Sequence, residues 1–319
     1  MNNKTLAKNV ILLVNLGSPN SLSISSIRKF LSAFLSDKRV VNLPKILWYP
    51  ILYGIILTFR AKRLLKQYSK IWLFDNSPLI HYTDIQASKL ASKGQIVKYA
   101  FSYANPSIND VLSEIHTTIA PDKLTIIPMY PQFSSTTTLP VFDSIYKFYK
   151  DKYYIPEINF VSDFATNIVY IDALCNTIRE SWQNNGKSQK LVFSYHGLPL
   201  DIIKRGDAYF KHCELTTKLV ITQLGLTENE YIMVFQSRFG AQKWLSPATN
   251  TTLASMARDG VTSVDIICPG FVSDCLETLE EIAILNKKVF LTAGGVSYNY
   301  IPCLNDSDDF IKVLSSLCD

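Results

Sequence analysis

Residues 190–199 read Lys190-Leu191-Val192-Phe193-Ser194-Tyr195-His196-Gly197-Leu198-Pro199. The stretch Lys190–Tyr195 is short, nearly continuously apolar and rich in β-favouring side chains, which suits a strand covered on both faces rather than one with a wet side. A histidine stands at its end, and Gly and Pro then turn the chain. Runs of the same kind recur at Val10–Asn15, Gln95–Tyr103, Leu124–Met129, Ile158–Val161, Tyr231–Gln236, Ser263–Cys268 and Lys288–Thr292. Between them lie amphipathic stretches of helical period, such as Ile108–Ile119, Val169–Trp182 and Cys275–Leu285. Such alternation predicts an α/β fold with parallel sheets under helices on both faces. Four strands fall in each half, and a long helix at Asn167–Asn184, followed by polar residues, marks the division. The expected organisation is two similar doubly wound domains, 1–165 and 166–319, with the amphipathic segment 306–319 able to pack on either.

Composition narrows the function. Of 319 residues 47% are hydrophobic and 18% charged, enough apolar material for a large core and far from the profile of disorder. The net charge of +5 is spread along the chain, so no nucleic-acid partner is expected. Six cysteines without a C-x-x-C pair fit reduced thiols better than a zinc module or a disulfide framework. The amino terminus is polar and the run after it is too short for a secretory signal, which places the protein in the cytoplasm. The longest apolar stretch, Ile46–Phe59, is interrupted by Pro50 and Gly54 and is shorter than the ~20 residues of a spanning helix. The wider segment Lys45–Arg63 is apolar in the middle and basic at both ends. It fits either peripheral contact with a bilayer surface or a core helix kinked at Pro50.

Parallel sheets hold their ligands at the carboxyl ends of the strands, so the loops there carry the chemistry. Neither Asn15-Leu16-Gly17-Ser18-Pro19 nor Ala293-Gly294-Gly295 completes a phosphate-binding pattern. His196 sits at such an end, where an imidazole serves as base or metal ligand or simply hydrogen-bonds the turn. His81, His116 and His212 lie in helix-like or polar contexts and compete poorly. A second loop runs from Cys268 through Asp274 to Glu281. At about 100° per residue, Asp274, Glu277 and Glu281 fall within roughly 60° of one another, opposite an apolar side of Leu276, Leu279 and Ala283. Asp274 with Glu277 matches a capping box; facing His196, the same acids make a metal site or a proton relay.

Eight motifs in order carry a resemblance to a known family. They are Val14-Asn15-Leu16-Gly17-Ser18-Pro19, Ser77-Pro78-Leu79, Tyr130-Pro131-Gln132-Phe133-Ser134, Ser194-Tyr195-His196-Gly197-Leu198-Pro199, Arg205-Gly206-Asp207, Gln236-Ser237-Arg238-Phe239-Gly240, Cys268-Pro269-Gly270-Phe271 and Asp274-Cys275-Leu276-Glu277-Thr278-Leu279-Glu280-Glu281. Over almost the whole length the chain resembles the ferrochelatases. The resemblance implies a chelatase-like pair of Rossmann-like domains with a porphyrin cleft between them. It implies insertion of ferrous iron into protoporphyrin IX, with protoheme and two protons as products. It also implies His196 and Glu277 as the catalytic, metal-binding pair, with Asp274 and Glu281 continuing the acidic line. Tyr130, Phe133, Ser134, Arg238 and Trp244 are implied as porphyrin-binding residues. The assignments fit the chemistry, because metallation must remove two pyrrole protons and deliver a desolvated Fe²⁺ to exposed nitrogen lone pairs.

The chain departs from the family where Ser102, Ala248 and Val296 replace a frequent Arg, Tyr and Glu. Cys275 stands where animal members have a second histidine, a proteobacterial pattern that favours protoporphyrin IX over coproporphyrin III. No carboxy-terminal cysteine cluster is present, with Cys318 alone at the end, so neither a [2Fe–2S] centre nor any cofactor beyond the Fe²⁺ substrate is expected. Two rivals remain: a non-catalytic haem or porphyrin carrier on the same fold, which has no need of the acids, and a hydrolase using Ser194 or Ser237 with His196, which lacks the G-x-S-x-G elbow.

Overall fold

The computed structural model describes residues 8–74, 76–238 and 242–318. Its contacts divide the chain into two compact units. One takes the chain up to Met129, Ser135–Asp163 and the residues from Leu314 on; the other takes Tyr130–Ser134 and Phe164–Val313.

The first unit is built on strands β1 (Asn9–Asn15), β2 (Ile96–Phe101), β3 (Lys123–Pro128) and β4 (Glu157–Phe160), all parallel in the order β2-β1-β3-β4. Val10–Val14 of β1 are buried, since β1 is flanked by strands and covered by helices, which is why its sequence shows no polar alternation. Parallel neighbours need crossovers, supplied by helices whose starts are written locally. Ser77 caps the helix Pro78–Ala91 through the Ile80 N–H, with Pro78 at the first position, where its missing N–H costs nothing. Ser107 caps Ile108–Glu114 in the same way, and a π-helical turn, Ile115–Ile119, extends it.

The segment read as either a bilayer contact or a core helix forms a continuous helical run: Lys45–Ile51, a π-helical stretch Leu52–Ile56, and Leu57–Tyr68. It is not a core helix. Trp48, Leu52 and Leu57 face inward, and the Trp48 indole donates to the Leu35 carbonyl at 2.7 Å. Ile46, Leu47 and Phe59 are exposed by 83%, 64% and 70%. No helix among the described residues is long and apolar enough to cross a membrane.

The second unit repeats the plan with β5 (Lys190–His196), β6 (Tyr231–Gln236), β7 (Ser263–Ile267) and β8 (Ser297–Tyr300), parallel in the order β6-β5-β7-β8. One strand was expected in the wrong place. Lys288–Thr292 lies in the helix Lys287–Thr292, which continues the preceding π-helix Leu276–Asn286, and the eighth strand is Ser297–Tyr300. A short apolar run does not by itself distinguish strand from helix. The helix stops at Gly294, whose φ of 114° suits glycine alone, and β8 begins after that turn. Asp265, buried within β7, joins three parts of this unit: it accepts hydrogen bonds from the Trp182 indole (2.8 Å), the Ser188 backbone and hydroxyl (3.0 Å each) and Asn299 (3.0 Å).

Candidate active site

From β5 the chain crosses to β6 on one side of the sheet and later returns to β7 on the other. The loops leaving β5 and β7 therefore part at their carboxyl ends, the position where parallel sheets place ligands. His196 is the last residue of β5, and Cys268–Asp274 follows β7. The His196 Nδ1 lies 2.8 Å from the Gly197 carbonyl oxygen. A carbonyl only accepts, so Nδ1 carries a proton, and whenever the ring is neutral its lone pair lies on Nε2. The Phe271 ring lies beside the imidazole, with centroids 6.4 Å apart.

The glycine after the histidine is required by close approach. A Cβ at Gly197 would stand 2.6 Å from the Gln236 carbonyl oxygen, which accepts the Gly197 N–H at 2.8 Å. The turn is then zipped to the Lys243–Leu245 segment: Leu200 N–H donates to the Lys243 carbonyl and Leu245 N–H to the Leu198 carbonyl, both at 2.9 Å. His196 thus sits on a backbone held at several points while its ring stays partly exposed.

The acidic loop differs from the expected α-helical stripe. Leu276–Asn286 is a π-helix, whose i→i+5 ladder widens the turn and puts residues four and five apart on one face. Glu277 and Glu281 remain neighbours on that face, whereas Asp274 precedes the helix. The capping box is also shifted by one residue. Cys275 is the N-cap and Thr278 its reciprocal partner, with the Cys275 N–H donating to the Thr278 hydroxyl at 2.9 Å. Glu277 is not the reciprocal partner of the box; its carboxylate lies beside the Cys275 thiol and, after burial, adds to that thiol's raised proton affinity, and its side chain is only partly buried.

Asp274 is buried, with both carboxylate oxygens engaged. Oδ1 accepts from Thr278 (2.9 Å) and the Tyr300 hydroxyl (2.5 Å), and Oδ2 accepts from Asn305 (2.7 Å). Glu281 is held by Ser237, which donates its backbone N–H to Oε1 (2.8 Å) and its hydroxyl to Oε2 (2.5 Å) from a left-handed backbone, φ 63°. Burial raises the Glu281 carboxyl above the ordinary glutamate value. The Ser237 donors and then the His196 charge pull it back, and the Glu277 charge adds to the rise. Glu281 thus feels both His196 and Glu277. Among the described residues, no three or more His, Cys, Asp or Glu side chains converge into a metal-holding group.

The expected porphyrin contacts occupy the same unit. Ser134 is buried and donates to Asp207 at 3.1 Å, which links two of the quoted motifs. Phe133 is partly exposed, and its N–H donates to Nδ1 of His212 at 3.2 Å, giving that histidine a part in holding the 130–134 segment. Tyr130 and Trp244 are partly exposed as well. Arg238 donates to the Leu245 carbonyl at 3.3 Å. Phe239 and Gly240 lie outside the described residues.

Sequence reasoning assigned no role to Gln236, Phe271, Tyr300 or Asn305, and named Ser237 only as the nucleophile of the hydrolase rival. Gln236, Ser237 and Phe271 lie within the quoted motifs, and Gln236 is also the one polar residue closing the apolar strand Tyr231–Gln236; Tyr300 and Asn305 left no signal.

Comparison with known proteins agrees over the full length. The family model for Ferrochelatase matches residues 8–319. A ferrochelatase of Herminiimonas arsenicoxydans is 43% identical over 99% of this chain and 87% of its own, and one of Vibrio atlanticus is 43% identical over 99% and 98%. Among solved structures, SirB from Bacillus subtilis with Fe3+ superposes with a TM-score of 0.53 at 12% identity, covering 98% of this chain and 96% of that one. At that identity the likeness concerns the fold, a two-domain chelatase architecture. With a family match across both sheets and relatives this similar end to end, the chain belongs to the ferrochelatase family.

Proposed function

We propose that His196 and Glu277 form the centre at which this ferrochelatase inserts ferrous iron into protoporphyrin IX to give protoheme. The observation that carries the reading is the His196 residue: partly exposed, with Nδ1 held by the Gly197 carbonyl, so that in its neutral form the ring carries its lone pair on Nε2. Such a nitrogen takes a pyrrole proton or meets Fe²⁺ directly, and the Glu277 carboxylate supplies a hard oxygen donor. Fe²⁺ is substrate rather than resident cofactor. A pair of side chains in place of a closed cage of three or four suits an ion that must be handed on.

Glu281 is the proposed next station for the proton. Its raised proton affinity and its coupling to both central residues suit a carboxylate that receives and releases protons. Asp274, with both oxygens engaged, continues the acidic line from behind and anchors the start of the π-helix. Tyr130, Phe133 and Trp244 supply flat apolar wall, and Arg238 with Ser134 supplies polar anchors. The protein is proposed to work in the cytoplasm, touching the bilayer through Ile46, Leu47 and Phe59 between basic flanks, and to need no cofactor beyond its metal substrate.

The test is anaerobic incubation of the protein with Fe²⁺ and protoporphyrin IX, followed by absorption spectroscopy, for wild type and His196→Ala. Wild type should convert the free-base bands to those of protoheme. His196→Ala should bind porphyrin, read by fluorescence quenching, and leave the free base unchanged. Near-normal turnover in the variant would remove His196 from the mechanism, and unchanged bands with wild type would favour the carrier.

A further inference from the structure

Gln236 touches the surroundings of both central residues from one buried position. It is 2% exposed and pairs with His196 in the β5–β6 register. Its backbone carbonyl accepts the Gly197 N–H at 2.8 Å, fixing the chain next to the imidazole. Its side-chain Nε2 donates to the backbone carbonyl of Glu277 at 3.0 Å. The other end of the amide is saturated, since Oε1 accepts from the Ser194 hydroxyl at 2.8 Å and from Cys268 Sγ at 3.7 Å. Two acceptor bonds on Oε1 leave only one orientation of the amide, so its N–H must point at Glu277. From the sheet side, a single side chain thus reaches the first turn of the π-helix.

We propose that Gln236 is the positioning residue that sets the separation of His196 and Glu277. The inference rests on the reading of those two residues as the reacting pair. Metallation needs the proton acceptor and the oxygen donor at a definite spacing across the macrocycle, and a displacement of about 1 Å at a reacting centre is worth up to about 100-fold in rate. Asp274 anchors the helix start to Tyr300 and Asn305, on the far side from His196; the Gln236 amide instead ties the Glu277 backbone to the strand paired with the one that ends in His196. Porphyrin contacts made elsewhere are untouched by this bond, so its loss is expected in turnover and not in porphyrin affinity.

Gln236→Glu keeps the size of the side chain and replaces the donating NH₂ by an acceptor facing the Glu277 carbonyl. Gln236→Met keeps the length and removes all polarity. Both should lower kcat about 10- to 100-fold, the usual range for a group that orients a metal-site residue, with KM for protoporphyrin within about twofold of wild type. Ser194→Ala is the control for general core damage, because it removes one bond to Oε1 and leaves the bond to Glu277; its kcat should fall less than about threefold.

Glu277→Gln measured in parallel separates the two levels of the argument. If Glu277→Gln is inactive while folded Gln236→Glu and Gln236→Met turn over at the wild-type rate, the positioning role is overturned and the central pair stands. If Glu277→Gln is itself active, the central pair falls, and the role of Gln236 with it. Should Ser194→Ala lose as much kcat as the Gln236 variants, or should KM rise in step with the loss of kcat, Gln236 acts as packing and the proposal is wrong.

Discussion

Glu277 and Thr278 are adjacent, yet the helix start uses only one of them. Thr278 accepts the Cys275 N–H and donates to Asp274, whereas the Glu277 side chain meets only the Cys275 thiol, a contact that the glutamine oxygen keeps. Glu277→Gln should therefore leave stability within about 0.5 kcal/mol of wild type in a denaturant titration, while turnover falls by about 100-fold or more, as expected for loss of an acid–base or ligand carboxylate. A variant that unfolds more easily but turns over normally would return Glu277 to a structural part.

Glu281 makes a separate prediction. Its proton affinity is raised by burial above that of the unfolded chain, so the folded protein binds the extra proton more readily. The stability this confers is complete below the ordinary glutamate value and is lost as pH rises through the raised one. Glu281→Gln is neutral throughout and keeps an oxygen for the Ser237 N–H. Its melting temperature relative to wild type should climb with pH across that window. A difference that stays level or declines there would mean an ordinary or lowered proton affinity.

At the scale of elements, the π-helix is held at its start by a carboxylate rather than by its own sequence alone. Asp274→Ala would strand the Tyr300, Asn305 and Thr278 donors in a buried place. Unsatisfied buried groups cost about 1–3 kcal/mol each, and some of these will find other partners. A loss of about 2–4 kcal/mol in unfolding free energy, read from the denaturant midpoint, is the expected outcome. Loss of activity at unchanged stability would instead give Asp274 a direct chemical part. The other crossovers are ordinary by comparison: Ser77 with Pro78, Ser107 and Asn167 start their helices through local hydrogen bonds, so those starts follow from a few adjacent residues.

For the whole molecule, the outward face of 45–68 is the feature not explained by the two parallel sheets. Ile46, Leu47, Ile55 and Phe59 are exposed together with Lys45, Lys62 and Arg63 nearby in sequence. Burying one such side chain in an apolar phase is worth about 1.5–3 kcal/mol. The double variant Ile46→Glu with Phe59→Glu should reduce co-sedimentation with anionic phospholipid vesicles by about tenfold or more. Its turnover on detergent-dispersed porphyrin should stay at the wild-type rate. Equal vesicle binding by the double variant and wild type would show that this face does not meet lipid.

The sequence by itself determined the α/β architecture, because a strand covered on both faces must be apolar at nearly every position, and that demand is visible within six or seven residues, as in β1 and β5. It also marked His196 and the acids after Cys268 as candidates for the chemistry at strand ends. What only the tertiary structure decided depends on partners distant in the chain. Lys288–Thr292 is the more apolar run, yet it continues the helix begun at Leu276, and it is the polar Ser-Tyr-Asn-Tyr of Ser297–Tyr300 that pairs with β7 as the eighth strand. The shift of the cap from Asp274 to Cys275 followed from Asp274 being drawn to Tyr300 and Asn305, 26 and 31 residues away. The widened ladder of Leu276–Asn286 and the Gln236 bond to the Glu277 carbonyl leave no periodicity to read. They arise where a helix start must satisfy its own backbone and an amide from the sheet at once.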